Sequence, residues 1–107
     1  LTVTNGSVAG PPAHWHVVYS GSYLVSADGG INYTTYDVLT AIDGDGTPFT
    51  VTVTAVDEGD GHIVSSTLLA AGDYTTKPTD PVSLSGGTGS GAKAQPGVDQ
   101  MWELFEP

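Results

Sequence analysis

The sequence predicts an all-β fold: a small β-sandwich or barrel, built from two related β units, with almost no helix. Apolar and polar residues alternate with period two along much of the 107-residue chain, which is typical of strands with one buried face. The 15 glycines and 7 prolines are interleaved with Val, Ile, Thr and Tyr, as in tight turns between short strands. No segment shows a helical period, and a single turn near Met101 is the one exception that we expect.

The length predicts one β domain over residues 1–107. Residues 1–20 form an N-terminal arm with two strand patterns, at residues 1–4 and 14–19. His14 and His16 share one face of the second pattern, and a glycine turn is expected at residues 28–30. Residues 21–93 form a repeated β module, and residues 94–107 form a C-terminal tail.

A motif that occurs twice lies in this module. Tyr33-Thr34-Thr35 and Tyr74-Thr75-Thr76 are each followed by a polar stretch, a short alternating segment and a glycine-rich turn, at residues 43–46 and 86–91. Self-similarity at such a spacing indicates a repeated supersecondary unit, but two copies are too few for a solenoid. The repeat therefore predicts a compact double unit, or a protomer that completes its core against other chains.

The clearest hairpin spans residues 49–69. Phe49, Val51, Val53 and Ala55 fall on one face, threonines fall on the other, and residues 57–61 form an acidic turn. The β-branched residues of both arms suit a half-buried pleated surface.

Two further segments follow the hairpin. Pro78 and Pro81 place the strand at residues 82–85 at a sheet edge or directly after a loop. Residues 86–91 are expected to be a flexible turn, and residues 100–105 to be either a last strand or one helical turn.

The charge balance excludes some partners. Twelve acidic residues stand against two basic ones, Lys77 and Lys93, for a net charge of −10. Phosphate binding needs clustered basic residues, so we expect no nucleic acid and no anionic membrane as a partner. The scattered acids predict a solubilising surface, and the lack of Cys excludes disulfides and thiol nucleophiles.

Two patterns resemble metal sites. Asp43 and Asp45 begin a run like that of a calcium loop and are weak metal candidates, but loop position 12 is Thr54 instead of Glu. Carboxylates of residues 57–60 would join them only if the two turns meet. Three imidazoles, those of His14, His16 and His62, make a three-His site conceivable, although ordinary strand packing is favoured.

Neither a cofactor nor catalysis is expected. Residues 87–92 match a dinucleotide-binding pattern, but Pro96-Gly97 stops the helix that such a site needs, so a turn is favoured. The chain has no G-x-S-x-G nucleophile motif, and we predict that it is not an enzyme. Seven aromatic residues have two alternative roles, since they either stack on sugars or fill the core and interfaces. They are Trp15, Tyr19, Tyr23, Tyr33, Tyr36, Tyr74 and Trp102.

Four segments carry a resemblance to a known group of proteins. Residues 37–40, 50–57, 71–75 and 78–92 resemble the glycine- and threonine-rich β modules of tailed-bacteriophage structural proteins. The resemblance implies a non-enzymatic virion component, either a capsid decoration (cement) protein or a tail or fibre subunit, with other virion proteins as partners. The alternative is a carbohydrate-binding β module for host adsorption.

The C-terminal tail carries the strongest indication of assembly. Trp102, Leu104 and Phe105 form an apolar cluster, and such a cluster marks a contact surface when it is exposed. A short, glycine-rich domain buries a limited core, so we expect a homo-oligomer, with a trimer preferred by analogy to fibres and decoration proteins. The alternative is that the tail packs back on its own domain.

Overall fold

The computed structural model describes residues 14–18, 25, 28–97 and 101–105. Within these residues all regular structure is β, so the prediction of an all-β fold is confirmed. The strand predicted at residues 1–4 lies outside them. The strands of the described part are β1 (His14–Val17), β2 (Asp28–Ile31), β3 (Val38–Ala41), β4 (Asp45–Thr47), β5 (Thr50–Val56), β6 (Ile63–Ala70), β7 (Asp73–Thr76), β8 (Val82–Ser85), β9 (Ser90–Ala94) and β10 (Trp102–Phe105).

The strands form two antiparallel sheets. One has four strands in the order β10-β1-β7-β4, and the other has six in the order β2-β9-β8-β3-β5-β6. Both sheets contribute to one apolar core, in which Val17, Tyr74 and Met101 from the smaller sheet and its flank join Leu39 and Val51 from the larger. Burial of this apolar surface is the main favourable contribution to folding.

The predicted hairpin is confirmed as the pair β5–β6. Val51 and Val53 are wholly buried, as is Phe49 just before the strand, while the threonines face outward. Ala55 is only half-buried because the register shifts between Val53 and Ala55, and a bulge there turns the end of β5.

The six-stranded sheet curls until its edge strands β2 and β6 approach each other. The N–H groups of Asn32 and Tyr33 donate to the carbonyl oxygens of Asp60 and Gly61 at 2.8 and 3.0 Å. Gly29 is required at this approach, since a Cβ there would lie 2.9 Å from the carbonyl oxygen of Ile63.

The repeated motif has a partial counterpart in the fold. The strands that follow the two copies, β3 and β8, pair with each other through Thr40 with Ser85 and Ala41 with Leu84. The tripeptides themselves differ in structure, because the one beginning at Tyr33 lies in the connection after β2 and the one beginning at Tyr74 lies in β7.

The two tyrosines nevertheless share a role. Both are buried, and each hydroxyl accepts a backbone N–H: that of Ala92 at Tyr33, 3.1 Å away, and that of Phe49 at Tyr74, 2.8 Å away. Each ring thus fills the core while its oxygen satisfies a buried donor.

Several glycine-rich segments predicted as turns are strands. Asp28-Gly29-Gly30 belongs to β2, Asp45 and Gly46 belong to β4, and the predicted flexible stretch at residues 86–91 runs into β9. The sequence pattern missed β9 because its inward residues, Ala92 and Ala94, are small, although both are 1% exposed.

Two alternatives for single segments, those for residues 82–85 and 100–105, are also resolved. β8 lies between β9 and β3 and follows the loop that contains Pro81, so its placement after a loop was right and an edge position was wrong. The C-terminal segment is the strand β10 and not a helical turn.

Candidate functional site

The side chains predicted to mediate assembly separate in the structure. The Trp102 ring lies in an aromatic cluster of its own chain, 5.3 Å from the Tyr74 ring and 6.2 Å from the Phe49 ring, both edge-on. Leu104, in contrast, is 52% exposed on β10, an edge strand of the smaller sheet. The side chain of Phe105 lies outside the described part of the chain. Trp102 therefore packs against the core of its own chain, and Leu104 is the described member of the predicted contact surface that remains accessible.

The two weak metal candidates belong to an exposed turn. Asp43 and Asp45 are both exposed, and Asp45 begins β4. Among the described residues, the group of potential ligands with atoms within 4.8 Å of one another is Asp57, Asp60 and His62, at the turn between β5 and β6. Neither Asp43 nor Asp45 belongs to that group.

The group at the β5–β6 turn is held together by its own hydrogen bonds. Asp60 Oδ1 accepts both the backbone N–H of His62, at 3.0 Å, and a hydrogen bond from His62 Nδ1, at 2.6 Å. Asp57 Oδ1 accepts the N–H of Gly59 at 2.7 Å. These bonds lower the pKa of Asp60, chiefly through the His62 N–H, and the Asp60 side chain raises the pKa of His62. The hydrogen bonds of the turn are therefore sufficient to explain why the three side chains lie close together.

The other two histidines do not join His62. Each pairs across the smaller sheet with a carboxylate: His14 Nδ1 with Asp73 on β7, and His16 Nε2 with Glu103 Oε1 on β10 at 2.7 Å. The three-His metal site is not formed, because each imidazole of the described structure has a different acidic partner.

Of the seven aromatic candidates for sugar stacking, one is fully accessible in the described part of the chain. Tyr33 and Tyr74 are buried, Trp102 packs in the core, and Trp15 is half-buried with Lys77 Nζ 4.0 Å from its ring centroid. Tyr19 and Tyr23 lie outside the described residues. Tyr36, at 81% exposure, is the most exposed large apolar side chain of the described residues.

Tyr36 has an unusual backbone. Its φ is +77°, in the left-handed region that a bulky side chain rarely occupies. The conformation is held by a bond from the Tyr36 N–H to the Val53 carbonyl at 2.7 Å, and the Val53 N–H returns a bond to the Asp37 carbonyl at 2.8 Å. Residues 32–37, which we call the Tyr36 turn, are thereby attached to β5.

Asp37 fastens the Tyr36 turn to the turn between β8 and β9. Its Oδ2 accepts the N–H of Thr34 at 2.9 Å, the N–H of Thr88 at 3.0 Å and the hydroxyl of Thr88 at 2.8 Å. These donors, led by the Thr88 N–H, hold the pKa of Asp37 below its usual range because they favour the carboxylate. Gly87 completes the contact, since a Cβ there would lie 2.9 Å from the Asp37 carboxyl.

Two pairs of hydroxyl groups belong to the Tyr36 turn and to the segments that hold it. Thr34 Oγ1 and Thr88 Oγ1 are 2.8 Å apart, and Thr54 Oγ1 and Ser65 Oγ are 2.6 Å apart on β5 and β6. Thr54 directly follows the residue that binds the Tyr36 N–H. An exposed aromatic ring in a turn that carries hydroxyl groups can contact both the apolar faces and the polar edges of a ligand.

Tyr36 is one of the candidates that the sequence offers, but Asp37 and Thr88, which hold it in place, are not. No local pattern marks this contact, because the two residues are 51 positions apart. The one available signal was Asp37 three residues after Thr34, which is typical of side-chain capping in turns.

No family model, no curated protein and no solved structure matches the chain. The described residues form no ligand-sized cavity. They also include no helix of the length and apolar character needed to cross a membrane.

Proposed function

We propose that the chain is a non-enzymatic structural subunit of a bacteriophage virion, either a capsid decoration (cement) protein or part of a tail or fibre. The observation that carries the proposal is the fastening of its loops. Buried tyrosine hydroxyls bind backbone N–H groups at Ala92 and Phe49, and Asp37 joins two distant turns. Such fastening makes a glycine-rich domain rigid, as a repeated shell or appendage subunit requires.

Two sequence properties support the same function. The resemblance to phage β modules covers the strands that form most of the larger sheet, and the net charge of −10 suits the outside of a particle. The virion is the location that we propose, with other virion proteins as partners and without nucleic acid or membrane.

The test is to find the chain in purified particles. Particles from a lysate are separated on a density gradient, the chain is counted by quantitative mass spectrometry, and it is located by antibody labelling in the electron microscope. We expect a fixed copy number per particle. If the chain is absent from intact particles but abundant in the lysate, the proposal is wrong.

A homo-oligomer, with a trimer preferred, is part of this proposal. Deleting residues 100–107 would be a poor test, because it removes the buried Met101 and the core ring of Trp102. Leu104→Thr removes an exposed apolar side chain from β10 while keeping a good strand former. Light scattering should show a smaller assembly for this variant, and Leu69→Thr, at a site on β6 that is 59% exposed against 52% for Leu104, should leave the mass unchanged.

The second candidate function is a carbohydrate-binding module that attaches a particle to its host. The exposure of Tyr36, in a turn held by segments that carry hydroxyl pairs, favours it. A glycan array separates the two functions, since selective retention supports binding and its absence supports the structural role alone.

A further inference from the structure

We propose that Tyr36 is the stacking platform of a binding site for uncharged sugars, with the hydroxyls of the Tyr36 turn and of β5–β6 as the polar rim. The inference rests on the second candidate function and assigns it a site. Tyr36 combines a strained backbone with an exposed aromatic ring. Strain of this kind persists where the surroundings enforce it, and it often marks function.

Folding alone gains little from a tyrosine at position 36. The ring is 81% exposed, so little of its surface is removed from water, and φ of +77° penalises bulky side chains such as tyrosine. Gly or Asn would hold the same turn at lower cost, because both tolerate the left-handed region. Tyr36 therefore has a side chain that the turn does not need.

The Tyr36 platform is preorganised by the bonds of its turn. The backbone of Tyr36 is tied to Val53, and the next residue, Asp37, accepts hydrogen bonds from Thr34 and Thr88. A tyrosine fixed at its backbone offers a large amphipathic contact with few torsions left to order, which reduces the entropic cost of binding.

The hydroxyl groups and the charge of the chain indicate the chemical class of the ligand. Hydroxyl groups occur in the Tyr36 turn and in the segments that hold it, from Thr34, Thr88, Thr54 and Ser65, and a hydroxyl can donate and accept hydrogen bonds as sugar hydroxyls do. The chain has two basic residues against 12 acidic ones, and the nearby Asp37 is held ionised, so an anionic ligand is disfavoured. A neutral pyranose, with an apolar C–H face and hydroxyl edges, fits this arrangement.

The binding test uses the full ¹⁵N-labelled chain and NMR titration with single probes: the methyl glycosides of glucose, galactose and N-acetylglucosamine, and the linear oligomers of each. At least one probe should shift the amide signals of residues 34–37 and Thr88. Tyr36→Ala should weaken its binding by about tenfold, the loss expected for one aromatic contact, and Tyr36→Phe should retain most of it. Leu69→Ala, which removes another exposed apolar side chain, is the matched control and should bind like the wild type.

A stability measurement separates binding from a structural role. Tyr36→Asn relieves the backbone strain, so it should raise Tm by about 4 °C while it weakens sugar binding as much as Tyr36→Ala does. A lower Tm for Tyr36→Asn would show that the ring supports the fold, which would overturn the proposal.

The outcomes distinguish the site from the function. If a probe binds the wild type and Tyr36→Ala equally well, sugar binding stands and the site is wrong. If no probe shifts any signal, both the site and the second candidate function fail. If Tyr36→Ala instead reduces incorporation of the chain into particles without any sugar binding, the ring is a protein contact and the proposal is overturned.

Discussion

Replacing Trp102 by Ala tests whether the C-terminal strand is part of the domain core. The Trp102 ring meets the Tyr74 and Phe49 rings edge-on, at interplanar angles of 90° and 86°. Phe49 is fully buried and Tyr74 is 1% exposed, so the substitution leaves a gap beside two closely packed rings.

The size of the effect follows from these contacts. Truncating a buried Trp or Phe to Ala costs about 3–5 kcal/mol, and Trp102 belongs at about 3 kcal/mol because it is only partly buried. The two edge-on ring contacts, at about 0.5–1.5 kcal/mol each, account for much of this loss. A domain of this size has a total stability of about 5–15 kcal/mol, so the variant should still fold, with Tm lowered by at least 12 °C or so.

Urea unfolding followed by far-UV circular dichroism measures the change without depending on tryptophan fluorescence. Leu69→Ala, at an exposed position of β6, is the control and should cost no more than about 0.5 kcal/mol, because its side chain is 59% exposed. Equal losses in the two variants, or a stable Trp102→Ala protein that dissociates, would refute the assignment of Trp102 to the core and restore it to the assembly surface.

Three further substitutions test the fastening of the loops. Asp37→Asn should cost about 1–2 kcal/mol at neutral pH by weakening the bonds from Thr34 and Thr88, measured by urea unfolding. Because the pKa of Asp37 is lowered on folding, its contribution to the free energy of unfolding is complete above its ordinary pKa of about 4 and is lost as pH falls through the folded-state pKa. The variant should lack this part of the acid dependence. Parallel curves of stability against pH for the two proteins would contradict the assignment. Tyr74→Phe should cost about 1–3 kcal/mol in thermal unfolding, since the buried Phe49 N–H loses its acceptor, and an unchanged Tm would mean that the N–H has another. Gly46→Ala should lower Tm more than either, because φ is +131° and a Cβ would lie 2.1 Å from a backbone oxygen, and a well-folded Ala variant would show that β4 can move aside.

The candidate site was only partly visible in the sequence. Tyr36 was one of seven aromatic candidates, and nothing local separated it from Tyr33, three residues earlier, which is buried. Exposure depends on which way the chain turns after β2, and that turn is set by bonds to Val53 and Thr88, from distant parts of the chain. The acidic turns were recognised, but whether two such turns meet depends on the topology of the sheets.

The sequence by itself determined the all-β class and the β5–β6 hairpin, because period-two alternation and turn residues act between neighbours in the chain. Only the tertiary structure decided that glycine-rich segments form β2 and β9, that the Trp102 ring packs against the core and that the Tyr36 side chain is exposed. Small residues such as Gly29 and Ala92 carry little pattern of their own, and they enter strands because a curled sheet needs close approach at those positions. The burial of an aromatic ring is likewise a property of its partners, and the partners of Trp102 come from strands or loops distant in the sequence.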